Sequence, residues 1–365
     1  MTDKPRFELL DGLRGVAALC VIFYHYFEAF ATSPIDQHFN HGYLAVDFFF
    51  ILSGFVISYA YDDRWKDGLT TGQFFRRRLV RLHPMVVMGE IIGLVCFIIQ
   101  GCEKWDGSHV GITAIMLATL LNLFLIPAVP GSLPEVRGNG EMFPLNGPNW
   151  SLFFEYIGNI MYALFIHKMS TQALKRLVSF TGILLGTFAI CNLSGAGHIG
   201  VGWTLAEWNF LGGLLRMTFS YSMGMLVART FKPREIKHAF LICTLLLVAA
   251  FAVPHVGGEN FLWLNGAYDT FCVICLFPAV LYIGACGKIG EGSGGKACRF
   301  LGDISYPIYT VHYPLMYLYY NHIWDNGLTI PQAVPFMIAV FVGSVLLAWL
   351  SMKFWDMPIR AKLKK

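Results

Sequence analysis

Two ionisable residues interrupt the first long apolar run of the chain: Arg14, in Leu10-Asp11-Gly12-Leu13-Arg14-Gly15, and His25, in Tyr24-His25-Tyr26. Their spacing is about three helical turns, which leaves both side chains within ~20° of one face. The rise over that interval is about 16 Å, so they sit at different depths of one helix. An imidazole can take a proton from a hydroxyl near neutral pH, and an ionisable group inside an apolar span is costly enough to suggest function. The bland alternative is a histidine that only hydrogen-bonds a neighbouring helix.

Two carboxylates fall at a similar depth. Asp47 lies near the start of the run Ala45-Val46-Asp47-Phe48-Phe49-Phe50-Ile51-Leu52-Ser53-Gly54, and Glu155 follows Asn149-Trp150-Ser151-Leu152-Phe153-Phe154. Counted from the same side, Asp47 lies ~6 Å, His25 ~7 Å and Glu155 ~9 Å deep. That agreement predicts that Asp47 or Glu155 orients the His25 ring and raises its basicity.

The opposite side carries Arg76-Arg77-Arg78-Leu79-Val80-Arg81. Such a run ordinarily fixes topology, but Arg78 and Arg81 share a helical face near a helix start, where anions are favoured, and guanidinium forks suit phosphates. Arg14 lies at the same boundary, so the three predict a grip on a phosphate-bearing donor. Arg216, in Gly213-Leu214-Leu215-Arg216-Met217, has no evident structural need within a span. With Ser151 and Trp150 it is a candidate donor to a developing oxyanion. His312 lies between Pro307 and Pro314, which should distort its helix and open a cavity. A satisfied core histidine is the equal alternative there.

The elements that must position these groups are membrane helices. The 365 residues are 56% hydrophobic and 14% charged, with a mean hydropathy of +0.55. Soluble chains carry about 25% charged residues, so the bilayer is the expected solvent. Full spans are expected near 11–30, 43–61, 84–100, 149–167, 178–194, 209–228, 239–255, 266–286, 303–322 and 333–352. The loops 62–82 and 168–177 are both basic, so an even number of crossings should separate them. The run 111–128, followed by the Pro/Gly-rich stretch to 148, is therefore expected to be re-entrant.

The resulting expectation is all-α: a polytopic bundle of about ten transmembrane helices plus a re-entrant segment near 111–148, with both termini cytoplasmic. It forms one domain, 1–365, without an appended soluble domain or tandem repeat. Met1–Phe7 has no cleavable-signal character. Basic residues are scattered over short loops, which argues against a nucleic-acid surface. The nine cysteines have no metal-ligand spacing, so no metal site is expected and they read as buried small hydrophobes.

Taken in order, these motifs resemble the membrane acyltransferase-3 family. Arg14 and His25 match its arginine-x10-histidine motif. Asp47–Gly54, Arg78-x-x-Arg81, Trp150-Ser151-Leu152-x-x-Glu155 and Leu301–His312 are similar to its other landmarks. The resemblance implies transfer of an acyl group, usually acetyl, from an acyl-CoA donor to a hydroxyl of a bacterial surface glycan or glycolipid. It implies a multi-pass protein of the bacterial inner membrane with no resident cofactor. His25 would be the essential histidine, as general base or acyl carrier, with Arg14 its motif partner and Arg78 and Arg81 on the donor side. Many members carry an additional esterase-like domain; its absence before Lys365 favours direct transfer within the membrane domain. Oligomeric state and the identity of the acceptor are not legible. A transporter is the rival reading, because intramembrane His, Asp, Glu and Arg also build proton relays, but matched broken helices are not seen. A scaffold or sensor is the third, and it would make His25 dispensable.

Overall fold

The computed structural model describes residues 7–363. The expectations for Met1–Arg6 and for Lys364 and Lys365 lie outside them. Among the described residues there are helices and loops, two isolated bridges and no strand. The chain is a multi-pass helical membrane protein. Six of its helical stretches are long and apolar enough to cross a bilayer: 8–28, 40–66, 71–99, 171–190, 259–285 and 330–363.

Each expected span overlaps a helix. In chain order they are α1 (Glu8–Glu28), α2 (Ala45–Lys66), α3 (Thr71–Ile99), α4 (Ile112–Leu123), α5 (Asn149–Leu164), α6 (Thr171–Ile190), α7 (Glu207–Thr230) and α8 (Ala239–Ala252). α9 (Leu262–Phe271) continues through a π turn into α10 (Phe277–Ala285), and after α11 (Ser293–Asn326), α12 (Ile330–Ser351) does the same into α13 (Met357–Leu363). α5, α7 and α11 are not among the six; α5, with 16 residues, is shorter than a full span. The longer α7 and α11 carry Arg216 and His312 among other polar side chains, which dilute an apolar span, and α5 carries Glu155.

Two long pairings form the frame. α1 packs along α11, and α2 along α7. Both depend on close backbone approach. A Cβ on Gly15 would meet the Leu301 carbonyl oxygen at 2.4 Å, and one on Gly54 would meet that of Tyr221 at 1.9 Å. Small residues are the usual means of helix packing where lipid removes the hydrophobic driving force.

α11 has 34 residues, about 51 Å. Pro314 lacks an N–H, so the Thr310 carbonyl loses its helical donor; Asn146 Nδ2 replaces it at 2.8 Å. Asn146 belongs to the segment after α4. With 12 residues α4 rises about 18 Å, short of a ~30 Å hydrocarbon core. The chain beyond it runs back, so that Ala128 N–H reaches Met142 O and Met142 N–H reaches Trp203 O. This irregular stretch buries Arg137, Asn146 and Asn149 against protein, the condition under which such backbone is tolerated at depth. The cysteine expectation needs one correction: Cys191 and Cys275 are exposed, because their helix faces point outward from the bundle.

Candidate active site

Two cavities lie towards opposite ends of α1. The first, about 810 Å³, is at the basic end and is lined by Arg14, Arg64, Arg78, Arg81 and Arg360. The same walls carry the four carboxylates Asp11, Glu155, Asp303 and Asp356. α3 positions two of the arginines: its start is fixed by a reciprocal Thr70–Gln73 capping box, and Arg78 and Arg81 follow on one face. Arg14 pairs with Asp11 at 3.0 Å and Arg360 with Asp356 at 2.9 Å. Arg78 donates to Glu155 at 3.0 Å and to Asn159 at 2.8 Å. Arg81 has no ion-pair partner among the described residues and faces this space. The structure therefore brings Arg14, Arg78 and Arg81 together.

The second cavity, about 490 Å³, holds His25. His25 Nδ1 lies 2.6 Å from Glu28 Oε2, one helical turn further along α1, and Tyr320 OH donates to the same oxygen at 2.7 Å. A carboxylate accepts only, so the Nδ1 facing it carries a proton, and in the neutral ring Nε2 keeps its lone pair. That is the tautomer a general base needs.

Neither carboxylate expected beside His25 is there. Asp47 has the expected depth but faces α7, where Arg216 Nη2 meets its Oδ2 at 2.7 Å and Nε meets both oxygens at 3.2 Å. The pair is fully buried. Glu155 lines the first cavity on Arg78. The depth count for α5 assumed that Asn149 lies at the membrane boundary. Instead Asn149 is buried and hydrogen-bonded to Glu90, deep within α3, which carries Glu155 towards the basic end.

Arg216 lines the second cavity, its guanidinium 5.3 Å from the Trp150 ring centre. Beyond Asp47 it donates to Val201 O at 2.6 Å and Tyr43 O at 2.9 Å. A guanidinium has five N–H groups, so one, on Nη1, remains uncommitted. His312 lines neither cavity. Its Nδ1 lies 3.0 Å from the Ile308 and Tyr309 carbonyls, its Nε2 is buried without a partner, and its ring centre is 5.6 Å from that of His25. Trp150 lines the second cavity and Ser151 the first, where Ser151 Oγ is 2.6 Å from Tyr309 OH.

Several groups escaped the sequence reading. Glu28 ends α1, where a carboxylate passes for an interfacial residue. Its spacing of three from His25 was the available signal. Arg137 is fully buried, bonded to Pro144 O and Gln100, with its guanidinium 3.8 Å from the Tyr317 ring centre. Tyr317 OH donates to Glu141, which lines the second cavity with Trp105, Trp203 and Trp324. Trp203 and Trp324 contribute to the cavity wall, while Trp208 and Trp263 are exposed away from it.

A family model described as an acyltransferase domain matches residues 7–352. "Protein 2 in picA locus" of Rhizobium radiobacter is 37% identical over 172 residues, 45% of this chain and 85% of that protein. Acyltransferase MdmB of Streptomyces mycarofaciens is 26% identical over 87% of this chain and 80% of its own length. Peptidoglycan O-acetyltransferase OatA of Listeria monocytogenes is 24% identical over 96% of this chain, which spans 55% of that protein. No solved structure matches.

Proposed function

The chain belongs to the acyltransferase-3 family and is a membrane O-acyltransferase; from that premise we propose that it moves an acetyl group from acetyl-CoA to a hydroxyl of a surface glycan or glycolipid. The observation that carries this reading is the division of labour along α1. Arg14 lines an arginine-walled cavity, and His25, paired with Glu28, lines a separate aromatic-walled one.

In this reading the donor's phosphates dock on Arg81, Arg78 and Arg14 at the cytoplasmic face, as charge-assisted forks. The acceptor enters from the far face of a bacterial inner membrane, where Trp105 and Trp324 offer flat apolar surfaces to a sugar ring. His25 Nε2 removes the hydroxyl proton as the oxygen attacks the thioester carbonyl carbon. The C–O bond forms, the oxyanion collapses, the C–S bond breaks, and the thiolate takes the proton back from His25. Arg216, held by Asp47, lends positive charge to the wall where that oxyanion develops.

The test is mass spectrometry of surface glycans and lipids from cells with and without the gene, and with His25→Ala. Loss of one acetylated species in both supports the proposal. An acetylation pattern unchanged by His25→Ala would sink it. Binding of coenzyme A to the purified protein, weakened by Arg81→Ala, checks the donor side separately.

A further inference from the structure

Among the described residues, one lines both cavities: Tyr309. It and its partner Ser151 are buried, and their hydroxyls lie 2.6 Å apart. The phenol ring packs edge-on to Phe49, centre to centre 5.2 Å at 76°. The wall between the two cavities at this point is thus one aromatic side chain hydrogen-bonded across to α5. Ser151 Oγ also donates to Pro148 O at 3.0 Å, which uses its only proton. With that proton spent, the Tyr309 O–H points at Ser151 Oγ, its near acceptor, with the same Pro148 carbonyl at 3.5 Å as the alternative. Two residues before Tyr309, Pro307 removes one helical N–H from α11, so the turn that presents the phenol is one bond short.

We propose that Tyr309 is the gate between the donor and acceptor cavities, and that on opening its hydroxyl turns from Ser151 onto the thioester carbonyl. The inference rests on the acyl-transfer reading above. An acyl group arriving from the arginine cavity must displace this phenol to come within reach of His25. The displaced O–H is a donor without a partner, beside a carbonyl oxygen that is becoming an oxyanion. When the acceptor oxygen bonds to the carbonyl carbon, the tetrahedral oxygen accepts the Tyr309 O–H. When the C–S bond breaks and the thiolate is protonated through His25, the carbonyl leaves and the phenol returns to Ser151. Tyr309 keeps its proton throughout. One residue then has two duties. Its ring keeps water from the donor and limits the acyl chain that passes, and its hydroxyl lowers the barrier.

The duties separate by substitution. Tyr309→Phe keeps the ring and removes the donor; Tyr309→Ala removes both, with Tyr309→Leu as a second opening variant if alanine fails to fold. The purified proteins are given acetyl-CoA or hexanoyl-CoA without acceptor, and thiol release is measured. The native acetylated product is quantified in cells by mass spectrometry, and coenzyme A binding is the folding control. Tyr309→Phe should bind coenzyme A normally and lower product formation by about 10²–10³-fold, the usual effect of one oxyanion donor. Tyr309→Ala or Leu should raise acceptor-free thiol release at least tenfold and shift the hexanoyl-to-acetyl ratio upward at least tenfold. A purely structural tyrosine moves neither ratio. Wild-type product formation in Tyr309→Phe, or unaltered thiol release and chain preference in the opening variants, overturns the proposal. A wild-type protein that neither binds coenzyme A nor acetylates anything would instead overturn the acyl-transfer reading.

Discussion

Replacing Glu28 by glutamine removes one negative charge from His25 while leaving an oxygen that still accepts from Nδ1 and from Tyr320. The imidazolium that the proposed proton transfer would form then loses its counter-charge. At an effective dielectric of 20 and ~4 Å between charge centres, the attraction is about 4 kcal/mol. The two side chains are 14% and 30% exposed, so solvent screens part of it. Halving the figure leaves about 2 kcal/mol, or roughly 30-fold in rate. Glu28→Ala removes more. Nδ1 loses its acceptor, the tautomer is no longer fixed, and Tyr320 OH is left with the His25 carbonyl at 3.0 Å. An unsatisfied buried polar group costs about 1–3 kcal/mol, so the total loss should reach about 10²–10³-fold.

The assay is steady-state acyl transfer with donor and acceptor varied separately. The arginine cavity begins about 16 Å along α1, so kcat should fall with the donor KM unchanged. Comparable yields of folded protein in detergent exclude a stability effect. Wild-type kcat in Glu28→Gln, or a loss expressed wholly as donor KM, refutes the dyad.

Arg81→Ala should raise the donor KM by about 10–100-fold with kcat at saturation kept, since charged hydrogen bonds contribute about 1.5–3 kcal/mol each; an unchanged KM would remove Arg81 from the donor site. Asp47→Asn strands Arg216 as a buried uncompensated charge, at about 3–5 kcal/mol. A large drop in thermal stability in detergent, partly reversed in Asp47→Leu/Arg216→Met, is the expected result, and equal stability of single variant and wild type would contradict it. Trp324→Ala should raise the acceptor KM several-fold and leave the donor KM alone, consistent with stacking of about 0.5–1.5 kcal/mol; the reverse pattern would relocate the acceptor.

Helical periodicity and charge made part of this site legible in the sequence. Arg78 and Arg81 sit on one face because three residues is nearly one turn, and Arg14 joins them because the membrane boundary fixes their common depth. Depth, however, is one coordinate of three. Asp47 has the right depth and the wrong azimuth, and only the packing of α2 on α7 shows that it faces Arg216. Glu155 failed on the depth itself. Its helix begins within the bundle at the Asn149–Glu90 bond, and no hydropathy profile marks a helix that starts there. Glu28 was obscured by the opposite error, in which a carboxylate at a helix end passes for interface. Arg137 and Glu141 belong to an irregular stretch with no period to read, where only the folded chain reveals what each side chain touches.

The α1–α11 contact gives the Arg14–His25 spacing its consequence. A Cβ at Gly15 would overlap the Leu301 carbonyl, so α1 cannot rotate or slide past α11 without breaking a backbone-to-backbone fit. The distance between the arginine cavity and the imidazole is therefore held by the frame, and in the proposed reaction a donor docked on the arginines has to span it. Binding energy gained at the phosphates is then gained far from the reacting carbon. It is available to pull the thioester into line with His25 without tightening the ground state there. Among the described residues Tyr309 is the one that both cavities share, so it stands where an acyl group would pass from the arginines to the imidazole.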